Sequence, residues 1–205
     1  VASRGARTAA IIADEAVVRF GYMAKLRTAL GDMPIAEHVI PPGEPGCDAV
    51  NAAAAFARRF DAPAIIGVGG GSALDVAKQA AGLVASPGQI ERYLLSARPF
   101  DGSAPMIAIP TTAGTGSEVT RTCIVTDAAG RKVWTWDDAL LPDAVILDAT
   151  ATVTMPPAVT VATGLDAFVH ALEAATSQRR NAIAAASGLH AIRLVLRNLR
   201  RAVGA

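Results

Sequence analysis

An apolar segment that runs into three consecutive glycines restricts the possible folds of this 205-residue chain more than any other feature. Residues 64–68 have the apolar, partly β-branched character of a buried strand. Gly69, Gly70 and Gly71 follow directly, and a segment of helical character begins at Ser72. Glycine has no Cβ, so the backbone N–H groups of such a turn can approach a ligand, and the positive end of the following helix favours an anion. The sequence therefore predicts an anion-binding turn.

Two features of this turn leave another interpretation open. Its spacing is not the usual dinucleotide-binding fingerprint, because Ser72 stands where the third glycine would fall and the turn does not belong to the first βαβ unit. Ser72 and Asp75 also have the spacing of a helix capping box, and the glycines would then form only a tight turn. Glycine spacing alone supports the two interpretations equally.

Strand-like and helix-like segments alternate along the chain as far as residue 147. This alternation is typical of a parallel sheet covered by helices. We therefore predict an α/β fold that begins with a Rossmann-like parallel-sheet domain. Strands are predicted at residues 8–13, 35–40, 62–68, 105–109 and 144–147, helices at residues 16–30, 48–60 and 73–85, and a hairpin at residues 123–126 and 132–136.

The strand pattern stops at two consecutive prolines, and only helical segments follow, at residues 164–176 and 181–203. We predict that residues 1–155 form an α/β domain and that residues 156–205 begin an all-helical domain. Two helices make a poor independent core, so we expect the chain to stop partway through this second domain. The chain also starts without Met and almost directly in a strand, so we expect it to be truncated at both ends.

Composition limits the expected partners and compartment. Hydrophobic residues make up 52% of the chain, charged residues 18%, and the net charge is +1, which favours neither a disordered chain nor a nucleic-acid partner. The two cysteines, Cys47 and Cys123, form no C-x-x-C motif, which favours reduced thiols and a cytoplasmic location. We identify no secretory signal and no uninterrupted spanning segment, so a membrane partner is not expected.

A second glycine-rich loop follows the fourth predicted strand and spans residues 110–120. Ligands of open α/β sheets bind at the C-terminal ends of the strands, where hydroxyl groups can donate to a pyrophosphate or a carboxamide. Threonine and glycine are also ordinary loop residues, so a plain loop remains an alternative. The hydroxyl side chains of interest are those of Thr111, Thr112, Thr115 and Thr120.

Asp166 and His170 lie one helical turn apart, in a segment that is apolar nearly all round. Burial of an unpaired carboxylate is costly, so a cation or a specific donor is expected beside Asp166. Carboxylate and imidazole together suit a divalent metal such as Fe²⁺ or Zn²⁺. The alternative is an Asp–His hydrogen bond that only holds the helix in place. The spacing supports both, and two ligands do not complete a metal site.

Taken in order, these motifs resemble the iron-containing (group III) alcohol dehydrogenase family. The resemblance covers nearly the whole chain from about residue 8 onward. It implies an N-terminal α/β domain that binds NAD(P), a helical C-terminal domain that holds a divalent metal, and a small alcohol or aldehyde as substrate in the cleft between them. The family often forms dimers or larger assemblies, which leaves a homo-oligomer open for this chain. The matching segments are residues 69–78, 110–120, 155–157 and 163–173.

The resemblance implies roles for individual residues in cofactor binding. Gly70, Gly71 and Ser72 would contact the pyrophosphate. Asp75 would lie towards the nicotinamide, and Lys132 would reach the cofactor ribose. Asp14 would accept from the 2′-OH of the adenosine ribose and repel a 2′-phosphate, which favours NAD, with NADP as the alternative. An N-cap role for Asp14 is equally supported and does not exclude the first. The implied cofactor-binding residues are Asp14, Gly69, Gly70, Gly71, Ser72, Asp75, Thr111, Thr112, Thr115, Thr120 and Lys132.

The resemblance also implies that Asp166 and His170 are catalytic, as the first two ligands of the metal. The family's other two ligands are histidines that this sequence does not contain. With the metal as a Lewis acid on the alcohol oxygen, a hydride would pass to the nicotinamide and leave an aldehyde or ketone. Metal-free maleylacetate reductases have Asn at the position of Asp166, so metal dependence is expected here. The alternatives are a metal-independent reductase of that type and a non-catalytic nucleotide-binding fragment.

Overall fold

A computed structural model describes residues 5–179 and 181–204 of the chain. The chain divides into two compact units. The sheet unit comprises Val1–Thr111 and Ser117–Asp148, and the helical unit comprises Thr112–Gly116 and Ala149–Ala205. The short loop Thr112–Gly116 therefore belongs to the helical unit, although the chain on both sides of it belongs to the sheet unit.

The sheet unit is built from strands β1 (Thr8–Asp14), β2 (Ile35–Ile40), β3 (Pro63–Gly69), β4 (Met106–Pro110), β5 (Thr122–Thr126), β6 (Lys132–Trp136) and β7 (Ala144–Val145). Five of them form a parallel sheet in the order β2-β1-β3-β4-β7. The other two, β5 and β6, form the predicted antiparallel hairpin. The α/β, Rossmann-like prediction is confirmed, although β7 is shorter than the strand predicted at residues 144–147.

The α-helices of the sheet unit, among the described residues, are α1 (Glu15–Arg19), α2 (Tyr22–Leu30), α3 (Cys47–Ala57) and α4 (Gly71–Ala85). The prediction of one continuous helix at residues 16–30 is wrong. Gly21 interrupts it with a φ of +76°, in the left-handed region that does not continue a right-handed helix. Glycine is the residue that adopts this conformation without strain, so the glycine at position 21 explains why the helix is interrupted there.

The core of the sheet unit lies on both faces of the sheet. Strand residues alternate between the faces, so Ile12 and Ile65 pack with α3 and α4, while Ile11 and Ile66 pack with α1 and α2. β3 is buried along its entire length, as expected for a central parallel strand covered on both faces. The turn that follows β3 is therefore fixed to the most buried part of the fold.

The helical unit contains two long helices, α5 (Pro157–Thr176) and α6 (Ala182–Val203). α5 begins seven residues before the predicted start at residue 164. Pro157 stands in its first turn, where the missing N–H of proline removes no helical hydrogen bond. α6 begins close to the predicted position, and its N-cap Asn181 accepts from the N–H groups of Ile183 and Ala184.

Two glycines allow α5 and α6 to pack closely against each other. A Cβ at Gly164 would overlap the side chain of Leu199, and a Cβ at Gly188 would lie 2.5 Å from the carbonyl oxygen of Ala171. Gly164, in the first half of α5, meets Leu199 near the end of α6, and Gly188, in the first half of α6, meets Ala171 in the second half of α5. The two helices therefore run antiparallel. Small residues thus determine the approach of the backbones.

Among the described residues, α5 alone is long and apolar enough to cross a membrane when judged by length and composition. The sequence prediction of no spanning segment did not anticipate this. Core helices of soluble proteins meet the same criterion, so one such helix is weak evidence for a membrane span. Three ionisable residues, Asp166, His170 and Glu173, also lie on α5, and such residues are costly in hydrocarbon.

Candidate functional site

The triple glycine forms the junction between β3 and α4. Gly69 is the last residue of β3, Gly70 is the N-cap of α4, and the helix begins at Gly71. Gly69 has a φ of +146°, which L side chains rarely adopt. A Cβ at this position would also overlap the carboxylate of Asp14 and lie 2.7 Å from the Cβ of Ala73. Both conformation and space therefore require glycine at position 69.

The first turn of α4 presents backbone donors that the helix itself cannot satisfy. The N–H of Leu74 donates to the carbonyl oxygen of Gly70 over 3.1 Å and begins the helical ladder. The N–H groups of residues 71–73 precede that bond and have no acceptor within the helix. The N-cap is a glycine, which has no side chain to accept from them. This arrangement fits an anion such as the pyrophosphate of a dinucleotide.

The capping-box interpretation of the same segment is wrong. Ser72 lies inside α4 rather than at its N-cap. The carboxylate of Asp75 accepts from the hydroxyl of Ser117 over 2.5 Å and from the N–H of Ile124 over 2.8 Å, so it does not reach back to the helix start. The amides of the first turn are therefore not capped by these two side chains.

Asp14 connects the end of β1 to the glycine turn. One carboxylate oxygen accepts from the N–H of Val17 over 2.9 Å, which confirms the predicted N-cap role on α1. The other accepts from the N–H of Gly70 over 3.0 Å, a contact that the sequence did not predict. On the opposite side, the N–H of Thr111 donates to the carbonyl oxygen of Gly69 over 2.9 Å. The structure thus brings Asp14, the glycine turn and Thr111 together at neighbouring strand ends.

A buried lysine of α4, Lys78, organises the segment that leads into β5. Its side chain is 0% exposed, and its Nζ donates to the carbonyl oxygens of Ser117 and Thr122, both over 2.9 Å. It also donates to the hydroxyl oxygen of Thr120 over 3.3 Å and lies 3.7 Å from the carboxylate of Asp75. A buried cation is tolerated only with partners of this kind. Two predicted cofactor residues, Thr120 and Asp75, are therefore part of an internal network.

Burial raises the pKa of Asp75, although Lys78 and the donors from Ser117 and Ile124 oppose the rise. Only 9% of the residue is exposed. Its two carboxylate oxygens are engaged inside the sheet unit, which gives Asp75 a position in the scaffold of the site. The sequence analysis missed Lys78, although a lysine three residues after an aspartate in an otherwise apolar helix was a usable signal of a buried ion pair.

Lys132, the predicted contact of the cofactor ribose, lies at the start of β6. Its Nζ is 3.0 Å from the carboxylate of Glu44, and the two side chains are 64% and 61% exposed. Exposed ion pairs contribute little to stability, so Lys132 can exchange Glu44 for another acceptor at small cost. Lys132 has no contact with the glycine turn among the hydrogen bonds and ion pairs described for the sheet unit.

Thr112 and Thr115 belong to the helical unit, in the loop Thr112–Gly116. Thr112 is half-buried and Thr115 is exposed. The loop approaches α5 so closely that a Cβ at Gly114 would lie 2.6 Å from the carbonyl oxygen of Thr163. The loop is therefore fixed to α5 through a glycine.

Asp166 and His170 lie side by side on α5, with the His170 Nδ1 3.6 Å from an Asp166 carboxylate oxygen. That separation is too long for a hydrogen bond, so the Asp–His hydrogen bond considered as an alternative is not formed. The His170 side chain is 52% exposed and that of Asp166 is 41% exposed, so the burial cost that led us to expect a partner beside Asp166 is small here. The pair has the donor types of a divalent metal site, and the described residues bring no third His, Cys, Asp or Glu to it.

Two family models match the chain in succession. The model described as "Iron-containing alcohol dehydrogenase" matches residues 1–149, and the one described as "Fe-containing alcohol dehydrogenase family, C-terminal" matches residues 160–205. The glycine turn falls in the first segment and the Asp166–His170 pair in the second. The chain therefore belongs to the iron-containing alcohol dehydrogenase family.

Curated relatives agree with this assignment. Long-chain-alcohol dehydrogenase 1 of Geobacillus thermodenitrificans is 40% identical over 208 residues, which covers 97% of this chain and 51% of the relative. Sulfoacetaldehyde reductase of Bilophila wadsworthia is 38% identical over 195 residues, which covers 94% of this chain and 50% of the relative. The chain thus spans about half the length of the curated relatives it matches.

Solved structures share the fold. The structure of sulfoacetaldehyde reductase from Bifidobacterium kashiwanohense in complex with NAD⁺ superimposes with a TM-score of 0.90 at 30% identity, covering 99% of this chain and 55% of that one. A structure of 1,3-propanediol oxidoreductase gives a TM-score of 0.88 at 32% identity, covering 98% of this chain and 53% of that one.

Proposed function

We propose that this chain belongs to an NAD-linked, metal-dependent oxidoreductase that interconverts a small alcohol and an aldehyde or ketone by hydride transfer. The single observation that carries the proposal is the glycine turn: three glycines join a buried strand to a helix whose first amides lack acceptors within that helix. Family membership supports the reaction class, and the NAD⁺ complex of one relative supports the cofactor.

In this proposal residues 1–155 form the NAD(P)-binding domain and residues 156–205 begin the metal-binding helical domain. The two family models, which match residues 1–149 and residues 160–205, support a boundary in this region. The parallel sheet ends with β7, and the long helices follow it.

The residues of the sheet unit have the task of binding and orienting the dinucleotide. The N–H groups of Gly71 and Ser72 would donate to the pyrophosphate, helped by the positive end of α4. Asp14 has acceptor capacity left for a ribose hydroxyl, because each carboxylate oxygen takes more than one hydrogen bond. Its charge would disfavour a 2′-phosphate, so NAD is preferred over NADP.

The other predicted cofactor residues of the sheet unit divide into two kinds. Lys132 would leave Glu44 and donate to the cofactor ribose. Asp75 and Thr120 would act mainly through the chain around Ser117, which they hold in place together with Lys78. Thr111 would line the cofactor cleft beside the glycine turn, and Thr112 and Thr115 are proposed as further cofactor contacts in the adjoining loop.

In the helical unit, Asp166 and His170 would hold the metal ion. When bound, NAD supplies the hydride acceptor and the divalent ion supplies a Lewis acid for the alcohol oxygen. Asp166 would contribute one negative charge and His170 a neutral imidazole, donor types that suit both Fe²⁺ and Zn²⁺, with iron favoured by the family. Both side chains are partly exposed, so a metal ion can reach them without opening the fold.

Metal analysis combined with an NAD-linked alcohol oxidation assay on the chain tests the proposal. We expect Asp166→Asn and His170→Ala to lose bound metal and turnover together while NAD affinity is retained. Glu173→Gln is the matched control, because Glu173 is an exposed carboxylate one turn further along α5, and it should keep metal, turnover and NAD affinity.

Two other outcomes would change the assignment. Metal that binds the chain and persists in both the Asp166 and the His170 variants would exclude these residues as ligands. NAD binding without metal or turnover would favour the non-catalytic nucleotide-binding alternative. An NAD-linked activity that needs no metal would instead favour a reductase of the maleylacetate type.

A further inference from the structure

We infer that Asp14 is a positioning residue whose carboxylate, by accepting the N–H of Gly70, holds the glycine turn in its pyrophosphate-binding conformation. The inference rests on the proposed function and concerns how that same site is assembled. It differs from the ribose contact that a carboxylate at this position suggests, because it makes phosphate binding depend on Asp14 even when a ligand offers no ribose hydroxyl.

The carboxylate of Asp14 joins two elements that are far apart in sequence. Val17 lies three residues away, on α1, and Gly70 lies 56 residues away, at the start of α4. Both donors are backbone N–H groups at about 3 Å, one for each carboxylate oxygen. β1 and β3 pair in parallel, with Ala13 opposite Val68, so Asp14 emerges beside the turn at the strand ends. The contact therefore follows from the register of the sheet.

Two hydrogen bonds restrain the turn from neighbouring strands. Asp14 binds the N–H of Gly70 from β1, and Thr111 donates to the carbonyl oxygen of Gly69 from β4. Ala73 on α4 leaves no space for a side chain at position 69. A peptide between two glycines has wide conformational freedom, so restraints of this kind are needed to fix one orientation. Of the two hydrogen bonds, the one to Asp14 involves a charged group, which makes it the stronger kind.

The same bond changes which amides can serve a phosphate. The N–H of Gly70 is directed to Asp14, so it is already engaged by an acceptor of the protein. The donors left for an anion are the N–H groups of residues 71–73, in the first turn of α4. Gly70 then contributes to the site through its backbone conformation.

Asp14→Ser is the informative variant. Serine is also a favourable N-cap, so its hydroxyl can keep the bond to the N–H of Val17 and preserve α1. It has one oxygen, however, and cannot also hold Gly70. Asp137 offers a matched control, because its carboxylate likewise accepts two backbone amides, from Ala139 over 2.9 Å and from Phe100 over 3.1 Å. Asp137→Ser therefore removes a carboxylate that accepts two backbone amides, as Asp14 does, but at another place in the sheet unit.

The test measures the affinity of each variant for ADP and for 2′,3′-dideoxy-ADP by titration calorimetry. The second ligand keeps the two phosphates and lacks both ribose hydroxyls. We expect Asp14→Ser to weaken 2′,3′-dideoxy-ADP about tenfold, as for one charge-assisted hydrogen bond, and to weaken ADP by at least that factor, because ADP would also lose the ribose contact proposed for Asp14. Asp137→Ser should leave both affinities within about twofold of the parent chain, because it lies outside the site.

A loss confined to ADP would overturn the inference and leave Asp14 as a ribose contact only, with the proposed function intact. Unchanged affinity for both ligands would overturn it as well. If the parent chain binds neither ligand, the proposed function and this inference fall together. A second measurement needs no variant: the Gly70 amide of the unliganded chain should exchange with deuterium far more slowly than an exposed amide. Exchange at the exposed rate would contradict the bond to Asp14.

Discussion

The sheet unit and the helical unit bury their apolar side chains very differently. Leu74 and Leu83 on α4 are 0% exposed, whereas Leu165 on α5 is 52% and Leu196 on α6 is 69% exposed. The polar groups follow the same division, because Lys78 is buried among its partners while Asp166 and His170 are open to solvent. The comparison shows that the proposed cofactor site lies on a sheet and helix whose apolar side chains are mostly buried. The proposed metal ligands lie on a helix with little burial of its own.

The largest expected effect tests whether the buried polar network supports the sheet unit. Lys78→Met leaves Asp75 as a buried carboxylate without its cation, and breaking such a pair typically costs about 3–5 kcal/mol. Arg7→Met is the control, since it breaks the Arg7–Asp61 ion pair, whose side chains are 75% and 77% exposed, and should cost at most about 1 kcal/mol. Urea unfolding measures both. Equal losses would mean that the network does not stabilise the unit.

The next prediction compares one substitution in the two units. Leu74→Ala empties a fully buried position and should lower the free energy of unfolding by about 2–5 kcal/mol. Leu165→Ala removes a half-exposed side chain and should cost less than about 1 kcal/mol, because little transfer energy is lost. Thermal unfolding followed by circular dichroism checks the pair. A large loss at position 165 would show that the leucine is buried in solution.

A third pair of variants tests the glycine turn. Gly69→Ala imposes a left-handed backbone on alanine and overlaps Asp14, so we expect a loss of stability beyond the ~1–3 kcal/mol of backbone strain alone, together with weak ADP binding. Gly130→Ala is the control, since Gly130 has a φ of +75° and nothing within 4 Å of an added Cβ. It should show the strain alone and bind ADP normally. An unimpaired Gly69→Ala variant would refute the described turn.

The smallest effect concerns thiol reactivity in the sheet unit. Burial raises the pKa of Cys123 to about 12, since the side chain is fully enclosed. At pH 8 only about one thiol in ten thousand is then ionised, and this fraction rises about tenfold for each added pH unit below the pKa. We expect iodoacetamide to leave Cys123 unmodified in the native chain and to modify it in urea, as read by mass spectrometry. Rapid native modification would show that this core opens readily.

Local patterns predicted the fold well where neighbouring residues determine the structure. The strand, glycine turn and helix at residues 63–85 and the hairpin of β5 and β6 follow from apolar runs and turn residues. The break at Gly21 was missed, because a single glycine within a helical pattern is usually tolerated. The early start of α5 was missed because its first residues are weakly periodic.

Long-range contacts limited what could be predicted about the candidate site. The bond from Asp14 to Gly70 depends on the pairing of β1 with β3, and the bonds of Lys78 span 39 to 44 residues of sequence. Neither arrangement has a local signature that fixes its partners. The exposure of Asp166 was not predicted, because an apolar helix sequence does not specify what packs on each of its faces.

The most direct test of the central claim is an NMR titration of the ¹⁵N-labelled chain with NAD. The account predicts that the largest shifts of backbone amides occur at Gly71 and Ser72, with further shifts at neighbouring strand ends such as Thr111, because the pyrophosphate binds the first turn of α4. Saturation with NAD that leaves these amides unshifted while others move would contradict the assignment of the cofactor site.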